Sequence, residues 1–109
     1  SDFYYANWVK GREKGEVDIV WVNQATQKAF SLAEIKWTDR FADNPTELKS
    51  LYRFLENNHD IRKIIVTTKT KMAKYQQATG DFLFVPSAIY AYWISAYLFK
   101  NQRKDLLQY

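Results

Sequence analysis

Residues 16–37 constrain the fold more than any other stretch. They read Glu-Val-Asp-Ile-Val-Trp-Val, then a short polar loop over residues 23–29, then Phe-Ser-Leu-Ala-Glu-Ile-Lys-Trp. In the first run Val17, Ile19 and Trp21 alternate with Glu16, Asp18, Val20 and Val22. In the second, Phe30, Leu32, Glu34 and Lys36 share one side. A period of two over this length belongs to strands, not to a helix, and the short loop makes an antiparallel hairpin the simplest connection. Setting Val22 opposite Phe30 puts Val20 opposite Leu32, Asp18 opposite Glu34 and Glu16 opposite Lys36. One hairpin face is then apolar near the loop and densely charged at the open end. A slip of one residue would turn every side chain to the other face. Carboxylates directly opposite one another on neighbouring strands repel, so the Asp18/Glu34 pair calls for positive charge. A hard divalent cation held by oxygen ligands is the natural candidate.

The remaining chain extends this hairpin. Residues 3–10 are rich in aromatic and β-branched side chains and read as a first strand. The segment Gly11-Arg12-Glu13-Lys14-Gly15 reads as a turn, completing a three-strand meander. Asn44 or Thr46 is placed to cap a helix with Glu47 in its first turn, and Leu48, Leu51, Tyr52 and Leu55 recur at helical spacing. Residues 61–68 read as a buried strand. The order strand, helix, strand makes it parallel to the third strand through a crossover. Residues 69–80 are polar and basic, either a short helix or a loop. Residues 81–85 read as a fifth strand, Pro86 suits a first helical turn, and residues 87–102 read as a closing helix with Ile89, Trp93, Ala96 and Tyr97 on one face. The expected class is therefore α/β: a mixed sheet in which an antiparallel meander is continued by parallel strands, flanked by helices.

Composition narrows the chemistry. The chain has 109 residues, the size of one domain. Seven Phe, eight Tyr and four Trp suffice for a core without covalent staples. The absence of Cys excludes structural disulfides and thiolate metal sites, and His59 alone makes no metal constellation. A net charge of +4 permits contact with phosphate. Residues 82–99 carry no formal charge, but Pro86, Ser87 and Ser95 interrupt them; a strand followed by an aromatic helix fits better than a membrane span. Exposed Tyr and Trp on that helix would suit a dimer or inter-domain surface. The start shows no signal peptide, and no phosphate-binding glycine motif is present.

The pattern Asp18 followed by Glu34-Ile35-Lys36 resembles the PD-(D/E)XK nuclease superfamily. More narrowly, Lys14-Gly15-Glu16-Val17-Asp18-Ile19-Val20 with Glu34-Ile35-Lys36-Trp37 is similar to the nuclease-like C-terminal domain carried by a family of archaeal and bacterial ATPases. Val66-Thr67-Thr68-Lys69-Thr70 and Phe84-Val85-Pro86-Ser87-Ala88 extend the likeness over most of the chain. The resemblance implies a restriction-endonuclease-like fold, with residues 1–109 as one nuclease-like domain and C-terminal fragment of a longer cytoplasmic ATPase. It implies Mg2+ or Mn2+ held by Asp18, Glu34 and the backbone carbonyl of Ile35, with Lys36 as the catalytic lysine in DNA phosphodiester hydrolysis. DNA and the upstream ATPase domain are the expected partners, with a homodimer as a further one. The alternative on the same fold is a non-catalytic DNA-docking, dimerisation or regulatory module. Superfamily members usually also bring an acidic residue from a helix before the first strand. Residues 1–109 leave no room for that helix: either it lies upstream or the site lacks its third carboxylate, and its absence here favours the alternative.

Secondary candidates follow from residue type. Glu16 suits a salt bridge with Lys36 better than an outer-sphere role. Glu47 could approach the site from the second-layer helix. Lys69, Lys71 and Lys74 with Tyr75 form either a phosphate-binding loop with a stacking aromatic or a solvated polar loop. Arg12, Lys14, Arg40 and Arg62 add positive charge. Trp37 is expected to pack in the core rather than stack on a base.

Overall fold

The computed structural model describes residues 4–10 and 17–107, with side chains described for residues 19–100. β1 (Tyr4–Lys10), β2 (Val17–Asn23) and β3 (Ala29–Ile35) form the expected antiparallel meander. The turn at residues 11–15, including Arg12 and Lys14, and Glu16 lie outside the described residues. Asp18 pairs with Glu34 and Val20 with Leu32, as the alternation requires. At the loop end the expected register fails. Trp21 pairs with Ser31 but Val22 pairs with Ala29, so Phe30 is an extra, bulged residue. A bulge turns its residue out of the alternation, and Phe30 lines the opposite face beside Trp21 and Tyr90. The loop is held by Asn23, whose Oδ1 accepts hydrogen bonds from the backbone N–H groups of Ala25 and Thr26 at 2.9 and 3.0 Å, an Asx turn.

The chain then leaves the sheet through a short helix α1 (Arg40–Asp43), a single 3-10 turn (Pro45–Glu47) and α2 (Lys49–Glu56). The expected cap is corrected: Leu48 precedes α2, and neither Asn44 nor Leu48 makes a side-chain capping bond. The helical stripe is as read, with Leu48, Leu51 and Leu55 buried and Tyr52 packed against them. β4 (Lys63–Thr68) returns parallel to β3. Residues 69–80 contain neither a helix nor only a loop: β5 (Ala73–Gln77) forms a hairpin with β6 (Gly80–Pro86), which runs parallel to β4. α3 (Ser87–Leu107) ends the described chain. The strand order is β1-β2-β3-β4-β6-β5.

Alternation along the central strands builds two apolar layers. On one face Leu32, Ile64, Val66, Phe82 and Phe84 pack beneath α2. On the other, Ile19, Ala33 and Val85 pack against Tyr90 of α3, with Ile89 and Ile94 beside it. The inward stripe of α3 thus runs through Ile89, Tyr90, Ile94 and Tyr97; Trp93 and Ala96, expected inside, are exposed. No helix among the described residues is long and apolar enough to cross a membrane.

Gly80 opens β6 at φ +141°, and a Cβ there would lie 2.6 Å from Ile64 Cδ1 and 2.9 Å from the Arg62 carbonyl oxygen. Both the backbone and the space require glycine. Gly80→Ala is expected to destabilise the fold by about 2–4 kcal/mol, measured as a lowered midpoint of chemical denaturation with an unchanged slope.

Candidate functional site

The parallel strands β3, β4 and β6 end together, and the site forms where β3 departs towards α1. The β2–β3 register puts the Cα of Asp18 directly opposite Glu34; the Asp18 side chain lies outside those described. Glu34 is 1% exposed, on the α2 face that also carries Leu32 and Val66. A carboxylate so deep in an apolar layer costs stability unless charge or hydrogen bonds compensate it. Glu34 walls a pocket of about 70 Å³ together with Lys36, Phe41, Glu47, Lys49 and Ser50. Glu47, on the 3-10 turn, therefore does reach the site. Its Oε2 accepts a hydrogen bond from Arg40 Nε at 3.0 Å. The Lys36 ammonium lies 5.4 Å, and the Arg40 guanidinium 5.2 Å, from the centre of the Phe41 ring, both within cation–π range.

The backbone of Lys36 is clamped. Its N–H donates to Thr67 Oγ1, and that hydroxyl donates back to the Lys36 carbonyl, both at 2.7 Å. The Ser87 hydroxyl, at the start of α3, reaches the Lys36 carbonyl at 3.3 Å and that of Thr68 at 3.2 Å. Thr67 is 1% exposed, so a threonine in β4 replaces the ladder bonding that β3 loses as it exits.

A second cluster ties the roof of the pocket to the β4–β5 turn. Asp39 accepts hydrogen bonds from the backbone N–H groups of Thr70 and Lys71 and from the Thr70 hydroxyl at 2.8, 3.1 and 2.8 Å. Lys71 donates to Asp43 at 2.5 Å, and this bond and its charge raise the lysine's pKa. Tyr75 donates its hydroxyl proton to the Ala42 carbonyl and packs edge-on against Phe84.

These contacts separate the four candidate nucleic-acid residues. Lys71 sits against α1, Lys69 is exposed on the turn, and Tyr75 is engaged beneath α1. Lys74 pairs with Leu83, on the face that α3 covers. The structure thus unites Glu34, Lys36 and Glu47 in one pocket, with Asp18 in register, but does not gather Lys69, Lys71, Lys74 and Tyr75 into one surface. Among the described side chains, no three His, Asp or Glu residues form a metal-holding group. Sequence reasoning missed Phe41, Lys49 and Ser50, because residues 38–50 cross three short elements with no common period. It also misplaced Trp37, which is 68% exposed. Comparison with known proteins returned no matching family model, curated protein or solved structure.

The Asp39 carboxyl is held below its ordinary range chiefly by the Thr70 backbone hydrogen bond, then by the Thr70 hydroxyl. A depressed folded-state pKa contributes stability above the unfolded value, about 4, and loses it as pH falls through the lower folded value. Asp39→Asn is therefore expected to be less stable than the parent near neutral pH. The gap should close below about pH 4 in thermal melts recorded across the acid range.

Proposed function

We propose that the chain is a metal-dependent nuclease-like domain that cleaves phosphodiester bonds in DNA, built on a restriction-endonuclease-like arrangement of its mixed sheet. The observation that carries the reading is a buried carboxylate, Glu34, sharing a small polar pocket with Lys36 at the C-terminal ends of parallel strands, with Asp18 opposite it in register. Ligands in open α/β sheets bind outside the carboxyl ends of the strands. The residues fit a hard divalent ion such as Mg2+ or Mn2+: Asp18 and Glu34 are oxygen donors, the Ile35 carbonyl lies between Glu34 and Lys36 in sequence, and Glu47 offers a further carboxylate in the same pocket.

An ion held by Asp18 and Glu34 would supply Lewis-acid polarisation of the phosphate and a bound water of lowered pKa. The chain's residues do the rest. Glu34, held in the β3 ladder opposite Asp18, places a carboxylate at the inner wall of the pocket. Lys36, its backbone held from both sides by Thr67, presents an ammonium to the phosphate oxygens as charge builds on them, the preorganised electrostatics on which such catalysis depends. The Phe41 ring lies 5.4 Å from that ammonium, within cation–π range. The association with an upstream ATPase domain rests on the sequence resemblance.

A second reading, a docking or dimerisation module, draws on α3. Tyr92, Leu98 and Phe99 are exposed there, and an apolar groove of about 250 Å³ lies between Trp93 and Tyr97 of α3 and Trp21 and Phe30 of the sheet. Titration calorimetry with Mn2+ beside a fluorescent DNA cleavage assay separates the two. The Asp18→Ala/Glu34→Ala double variant is expected to lose metal binding and cleavage together. Lys36→Ala should keep metal binding and lose cleavage by about a hundredfold or more. Parent protein that binds no metal and cleaves nothing would leave the docking reading standing.

A further inference from the structure

We propose that Trp37 is a stacking platform for an unpaired nucleobase, so that the substrate of the Glu34–Lys36 site is single-stranded nucleic acid; this rests on the nuclease reading. An indole belongs in a core or at an interface, yet Trp37 is 68% exposed. It directly follows Lys36, so its Cα lies about 3.8 Å from that of the lysine presented to phosphate. The residues on either side of it are tied down. Thr67 and Ser87 fix the Lys36 backbone on one side. On the other, Asp39 is hydrogen-bonded to Thr70 and Lys71. With its flanking residues fixed, mainly the indole's own rotation is lost when a base lands on it.

The pocket sets the geometry of the ligand. A volume of about 70 Å³ is well below the roughly 300 Å³ or more of a small-molecule site, so the base beside the reacting phosphate lies outside. The Asp39 bonds tie the turn carrying exposed Lys69 and Lys71 to the chain two residues after Trp37, an aromatic and cations on neighbouring segments, the combination that serves single strands. Those cations are partly offset: Lys71 faces Asp43, and Arg40 faces Glu47. Phosphate attraction is therefore modest, and stacking supplies most of the preference. Bases inside a duplex keep their faces stacked and offer the indole none.

The test uses the 109-residue chain in EDTA, with fluorescence anisotropy of labelled short oligothymidylate and of a duplex of equal length. The parent should bind the single strand more tightly. Trp37→Ala should weaken that binding roughly five- to hundredfold and leave duplex binding unchanged, while Trp37→Phe should stay close to the parent. Equal binding of oligothymidylate by Trp37→Ala and parent, equal losses on both ligands, or a parental preference for duplex would each overturn the proposal. Mn2+ calorimetry and cleavage on the same proteins keep the two readings apart. Trp37-dependent binding without metal binding or cleavage removes only the nuclease reading. Metal-dependent cleavage with Trp37-independent binding removes only the stacking platform.

Discussion

The site depends on how β3 leaves the sheet. A strand departing between two neighbours abandons backbone donors and acceptors that must find other partners. Here one hydroxyl, that of Thr67, accepts from the Lys36 N–H and donates to the Lys36 carbonyl. An apolar residue at that position would remove both bonds, although the Ser87 hydroxyl, at 3.3 Å, would still reach the Lys36 carbonyl. With threonine the exit is rigid, and the residues on either side inherit its precision. Glu34 stays in the ladder, Lys36 starts the departing segment, and Trp37 is turned out to solvent.

That rigidity comes with an electrostatic conflict that packing alone does not explain. Leu32 and Glu34 point into the same layer beneath α2, where a third apolar residue would complete the core. Instead Glu34 occupies the position, and Asp18 is its direct partner on β2. Two acidic residues in register cost stability, and natural sequences set such costs against function. Phe41 shows the accommodation: it brings both Lys36 and Arg40 over one ring, concentrating positive charge at the mouth of a pocket whose inner wall is Glu34.

Legibility followed periodicity. The β2–β3 hairpin, the Asp18–Glu34 register and the α2 stripe were readable because each repeats every two or every three to four residues; β1 was readable from its aromatic and β-branched content, and the parallel return of β4 from the order strand, helix, strand. The errors fell where that repetition breaks. Phe30 left its expected face because one bulged residue inverts the alternation, and nothing in the sequence marks a bulge between Trp21 and Ser31. β5 escaped notice because its inward residues, Ala73, Tyr75 and Gln77, include a single large apolar group, and because edge strands carry charges such as Lys74 for reasons unrelated to the core. Trp37 was assigned to the core from residue type, a preference that tertiary context overrode.

Tyr75 and Trp37 together show how the two faces divide their tasks. By composition, Tyr75 was the better stacking candidate, since it stands among Lys69, Lys71 and Lys74. Alternation nevertheless turns it inward, where its hydroxyl holds Ala42 and its ring fills the layer beside Phe84. It is thus a support for α1, the element that brings Phe41 over the pocket. Trp37 has no strand partner to bury it and remains at the surface. The same break in β3 pairing that calls for Thr67 thus also frees an indole, so the backbone clamp and the exposed aromatic share one cause. Ser87 extends that cause to the far layer: its hydroxyl touches the Lys36 and Thr68 carbonyls, so the first turn of α3 is fixed to the strand ends that carry the pocket.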